Sequence, residues 1–143
     1  MDLVLDNNIV IDHIDRHELS RRVCLLGVVG EANTYISVNM LTDIYYLLRK
    51  DYGSQGAQDL IENNLSFLQL IGISAEDAQK ALAARWGDFE DCLVARCAEK
   101  IKADYIVTRN VKDFRSSSVE AVTPEELFDR LEKQGFVYEE VDW

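Results

Sequence analysis

The sequence predicts an α/β protein, a three-layer α/β/α sandwich around a mainly parallel sheet. Short apolar runs at 3–5, 34–37, 67–73 and 104–108 have the length and composition of buried strands. Between them lie longer stretches whose apolar residues recur at helical spacing, and strands alternating with helices build parallel sheets. At 143 residues and 48% hydrophobic, with one proline and no linker or repeat, residues 1–143 make one domain with ample core material.

The elements follow in order. Leu3-Val4-Leu5 is a strand ending at Asp6, and 9–14 supplies a first helical turn or two. Residues 18–32 carry Leu19, Val23, Leu26 and Gly30 at helical spacing, and 34–37 is the second strand. Asn39 is placed to cap an amphipathic helix through Met40, Ile44, Leu47 and Leu48 that stops near Gly53. A helix over 54–65 and a strand over 67–73 come next. Ser74-Ala75-Glu76-Asp77 matches a capping box and opens a helix over 78–84, and Asp88 caps another running to about Lys102. The 104–108 strand is followed by an edge strand over 119–122. Thr123 and Pro124 then start an acidic helix and tail over 123–143, the helix ending near Gly135.

Composition excludes several classes. The N-terminus lacks the basic region and long apolar stretch of a signal peptide, and no apolar run is long enough for a bilayer, so the expectation is a cytoplasmic protein without membrane contact. Fifteen Lys and Arg against 26 Asp and Glu give a net charge of −11, which argues against general electrostatic binding of nucleic acid. A nuclease remains compatible, because acids that hold metal ions add negative charge at the site itself. The charge is uneven: residues 96–115 hold six basic residues and three acids, whereas 116–143 hold two and eight. Cys24, Cys92 and Cys97 lack metal-type spacing and are expected as reduced, buried thiols. His13 and His17, four apart without a third ligand, are expected at the surface.

The informative anomaly is carboxylates placed where core is expected. Asp43 falls between Met40 and Leu47 on one helical stripe, and Asp91 aligns with Val94, Ala95, Ala98 and Ile101. Asp6 ends an apolar strand, and Asn110 and Asp113 follow another that ends at Thr108. In such folds the site gathers at the carboxyl ends of the strands. Acids converging there repel one another unless a hard divalent cation such as Mg²⁺ or Mn²⁺ binds among them. Each also has a plainer role: Asp88 as an N-cap, Asp91 as a dipole partner in a first helical turn, Asp6 as the cap of the helix after it.

These residues form blocks that resemble the PIN-domain family. Leu5-Asp6-Asn7-Asn8-Ile9-Val10-Ile11-Asp12 is similar to the family's opening, usually L-D-T-N-V-L-L-D. Ile36-Ser37 through Thr42-Asp43-Ile44 to Arg49-Lys50 resembles the second acidic block, and Asp88-Phe89-Glu90-Asp91-Cys92-Leu93-Val94-Ala95 the third. Tyr105-Ile106-Val107-Thr108-Arg109-Asn110-Val111-Lys112-Asp113-Phe114 resembles the fourth, with Thr123-Pro124-Glu125-Glu126 a common ending. The blocks span essentially the whole chain, in order.

The resemblance implies a PIN-like sandwich and metal-dependent cleavage of RNA, as in VapC-type toxins of toxin–antitoxin pairs. Carried across, Asp6, Asp43 and Asp91 are the catalytic acids. Asp6 and Asp91 hold Mg²⁺ or Mn²⁺, Asp43 completes the shell, and Asp113 supports a second ion. Asn110 stands at the fourth acidic position, Asn8 orders the first acid, and Asp88 supports the site. Arg109, Lys112 and Arg49 steer the RNA backbone. The implied partners are RNA, a second copy of the chain and an antitoxin protein. Apolar surface at Tyr45-Tyr46-Leu47-Leu48, over 23–29 and at Phe136, Tyr138 and Trp143 supports the second copy. Departures are Asn7 for the usual Thr or Ser, Asp43 for the common Glu, and Asn110 for Asp. Asn7 and Asn110 keep open a PIN-fold nucleic-acid-binding or protein-interaction module with a degraded metal site. A phospho-acceptor domain fits less well, because 67–73 ends in no acceptor Asp.

Overall fold

A computed structural model describes residues 1–136. Five strands, β1 (Asp2–Leu5), β2 (Asn33–Ser37), β3 (Leu68–Ile71), β4 (Tyr105–Val107) and β5 (Ala121–Val122), form one sheet in the order β3-β2-β1-β4-β5. Every pairing is parallel, so the expected mainly parallel sheet is wholly parallel. Leu3, Val4 and Leu5 are all buried on the central strand, as a sheet covered on both faces requires.

Among the described residues, six α-helices and a short 3₁₀ turn complete the sandwich: α1 (Asn7–Ile14), α2 (Glu18–Val28), α3 (Met40–Asn64), α4 (Ala75–Ala84), α5 (Phe89–Lys100), the turn Val111–Phe114, and α6 (Pro124–Lys133). The α2 helix packs on β2 and α6, while α5 lies across β1, β2 and β4 with α4 against it. The order in which strands are added changes sides at β1, since β2 and β3 build to one side and β4 and β5 to the other. That change of side opens a crevice between the carboxyl ends of β1 and β4.

Local chemistry explains the helix ends. Ser74 and Asp77 close a reciprocal capping box on α4, and Thr123 and Glu126 close another on α6 behind Pro124. Gly53, at φ 72° and ψ 174°, breaks α3 into the two helices expected on either side of it. Asn39 departs from expectation. It precedes α3 without capping it, because its Oδ1 accepts from the Ser37 hydroxyl at 2.6 Å. The α3 stripe is also narrower than its spacing suggests: Met40, Ile44 and Leu48 are buried and Leu47 is exposed.

All three cysteines are free and buried, as expected. His13 is not the surface residue predicted. It packs edge-on against Phe67 with ring centroids 5.6 Å apart, and burial lowers its pKa. Val23, Cys24, Leu25 and Leu26 are core residues, so only Val28 and Val29 of the 23–29 run are exposed apolar surface. Phe136 packs against the core, while Tyr138 and Trp143 lie outside the described residues.

Gly27 marks a close approach of α2 to β2. A Cβ there would overlap the Thr34 hydroxyl, which is fully buried and donates to the Phe67 carbonyl at 2.6 Å. Gly27→Ala is therefore expected to cost about 1–3 kcal/mol by overpacking. A lowered urea midpoint with unchanged slope checks it.

Candidate active site

Asp6 immediately follows β1, at the crevice, and begins α1. Its Oδ1 accepts the Asn7 backbone N–H at 2.8 Å, and its Oδ2 accepts the Thr108 hydroxyl at 2.8 Å and the Asn8 amide at 3.3 Å. The helix-cap role and the site role thus coincide in one residue. A carboxylate has about four lone-pair positions, so Oδ1 keeps one free. Burial raises the Asp6 pKa; the Thr108 and Asn7 hydrogen bonds oppose this, and the charges of Asp113 and Asp88 add to it.

Asp6 lines a cavity of about 30 Å³, room for one or two water-sized spheres, together with Asn7, Asn39, Met40, Asp43, Glu90, Asp91 and Val94. Asp43 reaches it from the first turn of α3 beside Met40, and Asp91 from the first turn of α5 beside Val94. The structure therefore brings together Asp6, Asp43 and Asp91, drawn from three different elements. Asp91 titrates near 7, raised first by desolvation and then by the charges of Asp88, Asp6 and Asp113. Glu90 is also raised to about 7, first by sharing a hydrogen bond with Asp43, which needs a proton on one of the two carboxyls, then by burial and by neighbouring acids.

The other expected residues sit around this centre. Asn8 orders Asp6, and its Oδ1 accepts the Arg109 backbone N–H at 3.3 Å. Asp88 caps α5 by accepting the Asp91 N–H at 3.0 Å, so it acts on the cavity only through its charge. Asp113 is exposed and outside the lining, close enough to be felt by Asp6 and Asp91. Asn110 is exposed, outside the lining, and offers no side-chain cap to the turn that follows it. Arg109 pairs with Asp12 at 3.2 Å, and Arg49 lies over the Tyr46 ring at 5.4 Å. Lys112 is exposed.

Two residues escape a reading of the sequence. Thr108 is wholly buried and joins Asp6, Asn8 and the Asn110 N–H. The signal was available: Leu5 pairs with Val107, so the residues that follow the two strands must meet. Glu90 lines the cavity beside Asp91, where its position next to an expected site acid was the only sign.

A family model for the PIN domain matches residues 2–112. This chain belongs to the PIN-domain family. Solved structures share the PIN fold. VapBC2 from Rickettsia felis, bound to a DNA fragment from its promoter, matches with a TM-score of 0.67 at 22% identity, over 86% of this chain and 98% of that one. DNA-bound VapBC from Salmonella typhimurium matches with a TM-score of 0.67 at 18% identity, over 87% and 98%. VapC20 of Mycobacterium tuberculosis, a toxin that cleaves the sarcin–ricin loop, matches with 0.55 at 13% identity, over 74% and 87%. No curated protein matches the sequence.

The donors present in this PIN domain suit a hard cation. They are oxygens throughout, four carboxyl groups with two asparagine amides beside them, and the carboxyls of Glu90 and Asp91 are pushed up to about 7 by crowding and partial burial, the arrangement a divalent cation relieves. Among the described residues no three His, Cys, Asp or Glu side chains close into a ready-made cage.

Proposed function

We propose that this PIN domain is a metal-dependent endoribonuclease and the toxin of a toxin–antitoxin pair. The observation that carries the reading is the crowding of Asp6, Asp43, Glu90 and Asp91 around one small cavity beyond the carboxyl ends of β1 and β2. Asp6 and Asp91 would hold Mg²⁺ or Mn²⁺, with Asp43 completing the set and Asp113 supporting a second ion at the rim. A bound divalent cation there supplies a lower pKa for water and neutralises charge growing on the phosphate. Thr108 and Asn8 fix the Asp6 carboxylate in one orientation, which spares its reorganisation during reaction. Arg109 and Lys112, in the segment running from β4 to Asp113, offset the acidity of the site for an approaching polyanion, and Arg49 extends that path along α3. The sarcin–ricin-loop-cleaving relative supports RNA as substrate, and the VapBC structures support an antitoxin partner. Three free thiols suit a cytoplasmic protein.

The test is cleavage of RNA by the pure protein with Mn²⁺ and its arrest by EDTA. The alternative, a PIN-fold binding module with a degraded site, draws on Asn110 and Asp113 lying outside the cavity lining. It predicts RNA or protein binding without turnover in the same assay.

The cationic path has its own test. Arg109→Glu with Lys112→Glu is expected to weaken RNA binding and flatten its salt dependence by roughly one counterion per lost phosphate contact. An unchanged salt slope would place the RNA elsewhere.

The same reading makes the protein a homodimer. Tyr46, Leu47 and Tyr52 on α3 are about half exposed, at 57%, 50% and 48%, apolar surface that a second copy would cover. Sedimentation equilibrium of dilute protein is expected to give twice the 16.3 kDa chain mass, and the monomer mass alone would contradict it.

A further inference from the structure

Asp12 spends a buried carboxylate on an exposed arginine. It lies on α1 with a side chain only 10% exposed, whereas the Arg109 side chain it faces is 58% exposed. Burying the acid costs desolvation, and a pair so open on one side returns little stability. Fold stability alone therefore gives the pair little reason.

Its geometry shows what. The contact runs from Asp12 to Nε of Arg109 at 3.2 Å, the inner edge of the guanidinium, leaving both terminal nitrogens without a partner among the described residues. The backbone of Arg109 is held from the same helix, its N–H donating to Asn8 Oδ1 at 3.3 Å. Asn8 and Asp12 stand four apart on α1, hence on one face, one gripping the main chain and the other the side chain. One residue earlier, Thr108 donates to Asp6. The guanidinium is thus tethered at its inner edge to the helix that Asp6 caps. A planar fork of N–H groups suits a phosphate better than a flexible ammonium does.

We infer that Arg109 forms a phosphate-binding subsite for the RNA phosphodiester next to the one at the acid pocket, and that Asp12 is its positioning residue. This rests on the ribonuclease reading above. Asp12 does not touch RNA; it stops the guanidinium from swinging into solvent or collapsing onto the pocket carboxylates.

Asp12→Asn separates this from simple electrostatics, because the two predict opposite signs. Removing a negative charge beside a polyanion path should tighten RNA binding. Loss of positioning should weaken it. Single-stranded RNA binding in EDTA, across a salt series, and cleavage with Mn²⁺ are measured for wild type, Asp12→Asn, Arg109→Ala and the double variant. Asp12→Asn is expected to weaken binding and raise KM about three- to tenfold, with kcat moving less than about twofold. Its salt slope should stay that of wild type, since Arg109 keeps its charge. In the Arg109→Ala background Asp12→Asn should weaken binding no further. Equal or tighter binding by Asp12→Asn, or the same loss in both backgrounds, overturns the inference while leaving the ribonuclease reading intact. Wild type that neither binds nor cleaves RNA overturns both.

Discussion

Asp91→Asn is expected to make the metal-free protein at least as stable as wild type at pH 7.5, and to remove the stabilisation that Mn²⁺ confers. Asp91 has its folded pKa raised to about 7 from 3.8 by desolvation and neighbouring acids. A raised carboxyl stabilises fully below the unfolded value and loses that contribution as pH climbs through the folded one. At pH 7.5 the ionised, crowded group is therefore a net cost, about 1–2 kcal/mol once solvent screening at this half-open position is allowed for. Asparagine removes the charge and keeps the shape. Wild type should gain roughly 2.7 kcal/mol from Mn²⁺ at about 100 times its Kd, the variant little of it. Cleavage should fall about 100-fold or more. Thermal melts with EDTA and with Mn²⁺ check all but the last. If the variant melts lower without metal and both proteins respond alike to Mn²⁺, Asp91 is only a helix-terminal charge.

Asp77→Asn should do the reverse and lower stability by about 2–3 kcal/mol, with no specific effect on metal binding. Asp77 is 3% exposed and ties α4 to α5, accepting from Lys100 Nζ at 2.7 Å, from Arg96 Nε at 3.1 Å and from the Ser74 N–H at 2.9 Å. The Lys100 bond, then the Ser74 backbone bond, hold its pKa well below the usual carboxylate range. A lowered carboxyl contributes stability above its unfolded value and loses it as pH falls below that value. The deficit of Asp77→Asn in urea melts should therefore be full at pH 7 and shrink below about pH 3.8. A deficit independent of pH would mean that packing, not charge, is lost.

The sequence carries most of the fold because its local signals agree with one another. The strands announce themselves as apolar runs, and the capping residues Ser74, Asp88 and Thr123 occupy the helix starts they mark. Asn39 misleads because cap preference assumes that the side chain is free, whereas Ser37, two residues away, engages it. The acids at 6, 43 and 91 were legible because a carboxylate on an apolar stripe demands a reason. Thr108 was not, since a threonine ending a strand is unremarkable until the neighbouring strand proves to end in Asp6. Neither was the Asp12–Arg109 pair, which joins residues almost a hundred positions apart through a register that no local pattern encodes.

On the proposed function the acid pocket holds a divalent cation, and binding of that ion must displace the protons its crowding retains. Calorimetric titration of Mn²⁺ into the pure protein at pH 6.5, in buffers of different ionisation heat, reads the ion and the protons together. The account predicts saturable binding with release of about one proton per ion, and binding weaker by about tenfold or more in Asp91→Asn. Absence of binding at millimolar Mn²⁺, or equal binding in both proteins with no proton release, would contradict it.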